Sequence, residues 1–298
     1  MDTQQRPPLR QSACWLLALA LSSSAAKLPS AFVTVAGLRC QGRGNVRRAA
    51  GPSSSPSSWS EVLAQMAPED TARSLSNPSA LAVRAWLRRV VVGHGLCPWA
   101  EGATSSGALA VVCLAEASEE DVAEKLLAYG RLLARAKPPA GQGGATTICL
   151  APRCKELRSM KVFDRVCRFL DAELDQKLVQ LAPFHPKWRF GERGPGLDLP
   201  RGGEELDAEG KSLDAADFAN RAPVPAFHFL RVSELEAAAA GHPTALEGGP
   251  EAASLEVAMR NARYLRSRGA DACRADLLAC CDEAREMARR IKMSAENE

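Results

Sequence analysis

No C-x-x-C pair occurs among the eight cysteines from Cys97 to Cys281, which argues against a zinc ribbon or a thioredoxin-like redox motif. Aromatic residues make up only 5% of the 298 residues, so aliphatic side chains and alanine must fill most of the core. No phosphate-cradling glycine loop of the P-loop or dinucleotide type is present. H-E-x-x-H and G-x-S-x-G are absent too. Those gaps remove the enzyme classes that a short motif most readily identifies. A concentrated basic surface is also missing. The net charge is +3, and residues 1–50 hold seven basic side chains against one acid, Asp2. The rest of the chain is therefore mildly acidic, which argues against a nucleic-acid partner, since phosphate neutralisation needs clustered cations.

Acidic residues are missing from Phe32 to Ser60, a stretch with four arginines that ends in GPSSSPSSWS. Before it, Arg6 and Arg10 precede the apolar run CWLLALAL (14–21) and a small-residue exit. That run is too short to span a bilayer, which takes about 20 apolar residues. The order reads as a signal-peptide pattern over 1–31 and a transit-peptide-like linker over 32–75. With Phe32 close after the cleavage-like SAF, the two parts together resemble the bipartite presequence of secondary, red-lineage plastids. Secretion is the alternative destination. No membrane attachment is expected once the presequence is removed.

The body reads as alternating helices and short strands. Asn77-Pro78 is a helix start. Val83, Trp86, Leu87, Val90 and Val91 then recur at helical spacing before Gly93 and Gly95. Strands are expected at 107–116, 145–152, 177–184 and 225–232. Helices are expected from Ser118, through a stripe of Val162, Phe163, Val166, Phe169, Leu170 and Leu174, and through Leu255, Met259, Ala262 and Leu265. The first three strands are fully apolar and are separated by crossover-length helices. This predicts an α/β fold with a small, mostly parallel sheet: three parallel strands plus a fourth, covered by helices in a single domain over 76–270. Leu277, Cys281, Ala284, Ala288 and Ile291 form a short seam in a tail, 271–298, that packs on the domain or docks a partner helix through 277–291.

In an open parallel sheet, ligands bind beyond the carboxyl ends of the strands. That rule brings Glu116, Arg153, Cys154 and His185 to one rim. His185, in APFHPKWRFG, suits proton transfer or metal ligation; alternatively its ring bonds loop carbonyls. Cys97, in LCPWA, lies between a helix end that would raise its pKa and a proline-started turn that would lower it. Cys154, before a helix starting near Lys155, is the better placed thiol electrostatically. Arg221 could clamp a carboxylate or phosphate, or pair with a surface acid. His228 shares a strand face with Ala226 and Leu230, where a buried, satisfied histidine is the commoner role. Cys113, Cys149 and Cys167 sit among aliphatic neighbours as buried thiols.

LCPWA, FHPKWRF, NRAPVPAFHFLR and RNARYLRSRG occur in that order over roughly residues 77–269. They resemble the family catalogued as domain of unknown function 1415. Trp99, Ala222, Val224 and Val232 depart from that family's usual residues, and 192–213 is longer than usual. The resemblance implies a domain without an established reaction. It points to Cys97, Pro98, His185, Pro186, Asn220, Arg221, His228 and Arg231.

Two functional expectations follow. In the first, the chain is a small-molecule enzyme or ligand-binding domain. His185, Cys97 and Arg221 are then catalytic, and Asn220, His228, Arg231, Arg153 and Cys154 bind the ligand. Cys97, His185 and His228 would be able to hold a divalent metal such as zinc. In the second, it is a non-catalytic binding or assembly module.

Overall fold

A computed structural model describes residues 62, 68–135, 146–190, 213–240 and 245–296. Residues 1–61, on which the presequence expectation mainly rests, lie outside the described residues. Four strands form one sheet: β1 (Leu109–Cys113), β2 (Thr146–Leu150), β3 (Val179–Phe184) and β4 (Ala226–Arg231). Helices run through α1 (Pro68–Ser76), α2 (Pro78–Trp86), α3 (Ala100–Ser105), α4 (Glu119–Arg135), α5 (Met160–Glu173), α6 (Val232–Ala240), α7 (Ala245–Arg268) and α8 (Ala270–Glu296).

The strand order is β1-β2-β4-β3. β1 and β2 are parallel, whereas β4 is antiparallel to both β2 and β3. The sheet is therefore mixed, not mostly parallel. β1, β2 and β3 do run in one direction, as the expected crossovers require. The correction is that β4 enters between β2 and β3. Apolar strands covered on both faces suit parallel pairing, and a central antiparallel strand meets the same condition. Pro183 fits this order, because β3 is an edge strand where a missing N–H costs no ladder bond.

Local chemistry sets the helix starts. The Asn77 side chain accepts a bond from the Ser79 N–H at 2.9 Å, and Pro78 opens α2. Ser118 accepts from the Asp121 N–H and donates to its carboxylate ahead of α4. Phe163, Val166 and Leu170 of α5 are buried, but Phe169 is 39% exposed and falls off the expected stripe; Leu255 of α7 does likewise.

The stretch expected to be linker already holds α1. Arg73 donates to the Cys113 carbonyl at 2.8 Å on the outer edge of β1. Asp70, buried, accepts from Arg73 and from the Tyr129 hydroxyl. This ties α1 to α4 and covers an edge that would otherwise expose unpaired backbone.

Side-chain alternation divides the core into two layers. One face carries Ala110, Val112, Cys149, Leu181, Phe227 and Phe229 against α4 and α5. The other carries Val111, Ile148, Ala182, Phe184 and Ala226 against α2 and α8. The tail seam is largely used inside the molecule. Cys280 and Ala284 are buried, Leu277 packs on the second core, and Glu283 pairs with Arg88 and Arg89. Ile291, at the far end of the seam, is exposed. No helix among the described residues is long and apolar enough to cross a membrane.

Candidate ligand cavity

After Trp86 the first long helix widens into a π-helical stretch, Leu87–Val92. Gly93 closes it, its N–H bonding the Arg88 carbonyl at 3.0 Å. A Cβ at Gly93 would stand 2.3 Å from the Arg89 carbonyl oxygen, so only glycine fits. Gly95 then turns the chain at φ 61°, a left-handed conformation that favours glycine. The GHG stretch thus bends the chain back and delivers LCPWA over the second face of the sheet.

α7 holds that bend. Arg260 donates to the Gly95 carbonyl and buried Asn261 to the Leu96 carbonyl, each at 2.7 Å. His94 stands between Tyr264, at 3.1 Å, and Asp276 of α8, at 3.0 Å. His94 is therefore an interhelical joint.

Beneath LCPWA lies a cavity of about 400 Å³. Its floor is Leu109, Thr146, Ile148, His228 and Leu230; its back wall is Trp86, Leu87 and Val91; α3 and α6 roof it. The Trp99 indole N–H donates to the Ala238 carbonyl at 3.2 Å and links the two roof helices. The lining is chiefly aliphatic and aromatic with a few polar groups, the usual makeup of a small-molecule site.

Four of the residues marked by sequence meet here: Cys97, Pro98, His228 and Arg231. His228 Nε2 is 2.5 Å from Thr146 Oγ1, which is 2.8 Å from the Phe229 carbonyl. That carbonyl can only accept, so the hydroxyl proton goes to it. Thr146 must then accept from the His228 Nε2–H, which leaves Nδ1 as an unprotonated acceptor. Desolvation lowers the His228 pKa to about 3, so the ring is neutral. Burial raises the Cys97 pKa to about 11 despite backbone N–H bonds from Trp99 and Ala100. Its sulfur is a thiol, not a thiolate. Arg231 is the single cation among the described lining residues. Its side chain is 10% exposed, with Glu234 3.8 Å from Nε.

The other expected residues stand elsewhere. His185, 1% exposed, points to the opposite face and packs on Phe163, ring centroids 5.0 Å apart. Its Nε2–H donates to the Leu157 carbonyl and its Nδ1 accepts from the Lys187 N–H, both at 3.0 Å. Desolvation lowers its pKa to about 4. Both ring nitrogens are used, so it is a structural pin between loops. Arg221 donates from Nε to the Trp188 carbonyl at 2.9 Å and covers the Phe218 ring. Asn220 is fully buried, and its carbonyl accepts from the His185 N–H. Arg153 lies in the turn after β2.

Cys154 is buried and its pKa is raised, by desolvation first. The helix after it is a single 3-10 turn, Lys155–Arg158, and the sulfur faces Glu156 at 3.5 Å. The favourable helix field expected for this thiol is therefore missing.

The proposed metal set does not assemble. Cys97 and His228 border the cavity, but His185 lies across the sheet with both nitrogens bonded. Among the described residues no group of three or more His, Cys, Asp or Glu is placed to hold a metal ion.

The cavity's position corrects the strand-end rule. It is lined by Leu109 and Thr146, which begin β1 and β2, and by Leu230 and Arg231, which end β4. It therefore reaches the amino ends of the parallel strands, away from the rim of Arg153 and His185. Trp86 carries only a helix-stripe signal in the sequence, and Thr146, Glu234 and the roof helix α6 stand outside the expected site. Ser233 with Glu236, a capping-box spacing, was the available signal for α6.

A family model described as protein of unknown function, DUF1415, matches residues 79–275. No curated protein and no solved structure matches the chain.

Proposed function

For this chain, a member of the protein-of-unknown-function family DUF1415, we propose reversible binding of a small, largely apolar molecule in the cavity between the sheet, α2, α3 and α6. The observation that carries this reading is the cavity itself: about 400 Å³, apolar in its walls, with a neutral imidazole and one guanidinium on its border. Binding fits better than nucleophilic catalysis. A thiol with a pKa near 11 and an imidazole with one near 3 are both held in unactivated forms.

The test is titration of the full chain with a neutral, environment-sensitive dye such as N-phenyl-1-naphthylamine. Trp86 and Trp99 serve as energy-transfer donors. The expected result is saturable, one-to-one binding that is lost in Ala100→Trp, whose indole would occupy the cavity. Absence of saturable binding, or binding unaffected by that substitution, contradicts the reading.

The pattern in residues 1–75 supports a plastid as the place of work, with secretion as the other destination it fits. Fusing residues 1–75 to a fluorescent protein separates the two.

A further inference from the structure

Arg231 is the least satisfied charged group in the cavity. Nine-tenths of its side chain is buried, its Nη1 is sealed from solvent without an acceptor, and its one ionic neighbour among the described residues is Glu234 at 3.8 Å, beyond hydrogen-bond reach. Guanidinium offers five N–H donors in a planar fork. Holding it desolvated without acceptors is costly. Arg266, whose Nη1 likewise has no acceptor, differs in that its Nε and Nη2 meet Asp214 at 2.7–3.2 Å.

Arg231 also stands immediately before α6 (Val232–Ala240), so the positive end of that helix lies beside it. Glu234, in the first turn, takes part of this field on the Nε side. The Nη2 end of the fork, which is not sealed in this way, also has no acceptor among the described residues.

We propose that the molecule taken by the cavity is an apolar monocarboxylate, its carboxylate paired with Arg231 and its hydrocarbon body lying against Leu230, Leu235 and Ile148. This rests on the small-molecule reading of the same cavity. A single acidic head is specified by charge. Arg231 is the only cation among the described lining residues, and Glu234 repels further negative charge, so a phosphate dianion or a dicarboxylate would be left under-neutralised. Orientation follows from His228. Its Nδ1 carries a lone pair, which repels a carboxylate and steers the head group to the Arg231 end.

The experiment is displacement of N-phenyl-1-naphthylamine from the full chain at neutral pH by octanoate, 1-octanol and octylamine. The three share a tail and differ in the head. A charge-assisted pair should favour octanoate over octanol by about 10-fold or more, with octylamine weakest. In Arg231→Met the acid should lose its advantage while octanol keeps its affinity; Arg231→Lys should retain part of it. Equal competition by acid and alcohol in the wild type, or a preference that survives in Arg231→Met, overturns the ligand class and leaves the cavity reading standing. Failure of the dye itself to bind the wild type removes the cavity reading instead.

Discussion

His228 Nε2 and Thr146 Oγ1 lie 2.5 Å apart on the floor of the cavity. One threonine hydroxyl thereby decides which imidazole nitrogen carries the proton. Replacing Thr146 by Val keeps the shape and removes the acceptor. We expect a loss of about 1–3 kcal/mol in urea unfolding, the cost of a buried donor without a partner, together with weaker dye binding. Unchanged stability would show that the ring has another partner.

The two lowered histidines make stability depend on pH. His228 and His185 have folded pKa values of about 3 and 4, against about 6.5 unfolded. The unfolded chain therefore binds more protons, and stability is full above about pH 6.5 and falls as pH drops below it. Asp171, raised to about 6 by burial, opposes one of them between about pH 4 and 6. The net slope expected there is about 1.4 kcal/mol per pH unit. Urea unfolding from pH 7 to 4.5 measures it, and His185→Gln should flatten it. A flat profile in the wild type would contradict the burial of these rings.

Cys97 should react slowly. With its pKa near 11, little thiolate exists at pH 7.5. Alkylation by iodoacetamide, followed by peptide mass spectrometry, should show Cys97 modified far more slowly in the native chain than in urea. Rapid native labelling would restore it as a candidate nucleophile.

Asn261 acts at a distance from the ligand. Its amide N–H holds the Leu96 carbonyl and so positions the wall that carries Cys97. Asn261→Ala should cost about 1–3 kcal/mol and weaken dye binding, while Asn261→Gln should not restore either, because the longer side chain misplaces the amide. Normal dye affinity in Asn261→Ala would mean that the bend holds without this bond.

Much of the fold could be read locally. Asn77-Pro78, Ser118 with Asp121, and the apolar runs at β1 to β4 each carry their own signal within a few residues. The place of β4 does not: entry between β2 and β3 is a long-range pairing, and an apolar strand shows no preference for parallel or antiparallel neighbours. That one insertion displaced the expected site. His185, Arg153 and Cys154 do stand near strand ends as the spacing implied. The cavity, however, lies on one face and reaches the other rim, where the sequence marks Cys97, Pro98, His228 and Arg231. His185 looked chemical because it is a histidine between prolines, and the Leu157 and Lys187 backbone groups that occupy its nitrogens have no sequence signature. The family resemblance marks Cys97, His185, His228 and Arg231 alike, since a motif does not tell whether its residues pin loops or line a pocket.

The central claim is that ligand binding belongs to the Cys97–His228–Arg231 cavity and not to the His185 rim. The most direct measurement is dye affinity in two variants side by side, each checked for native circular dichroism: Ala100→Trp, which fills the cavity, and His185→Gln, which disturbs the opposite face. Binding is expected to be abolished in the first and to stay within about 2-fold of wild type in the second, well under the 1.4 kcal/mol that a tenfold change represents. Intact binding in Ala100→Trp with loss in His185→Gln would contradict it.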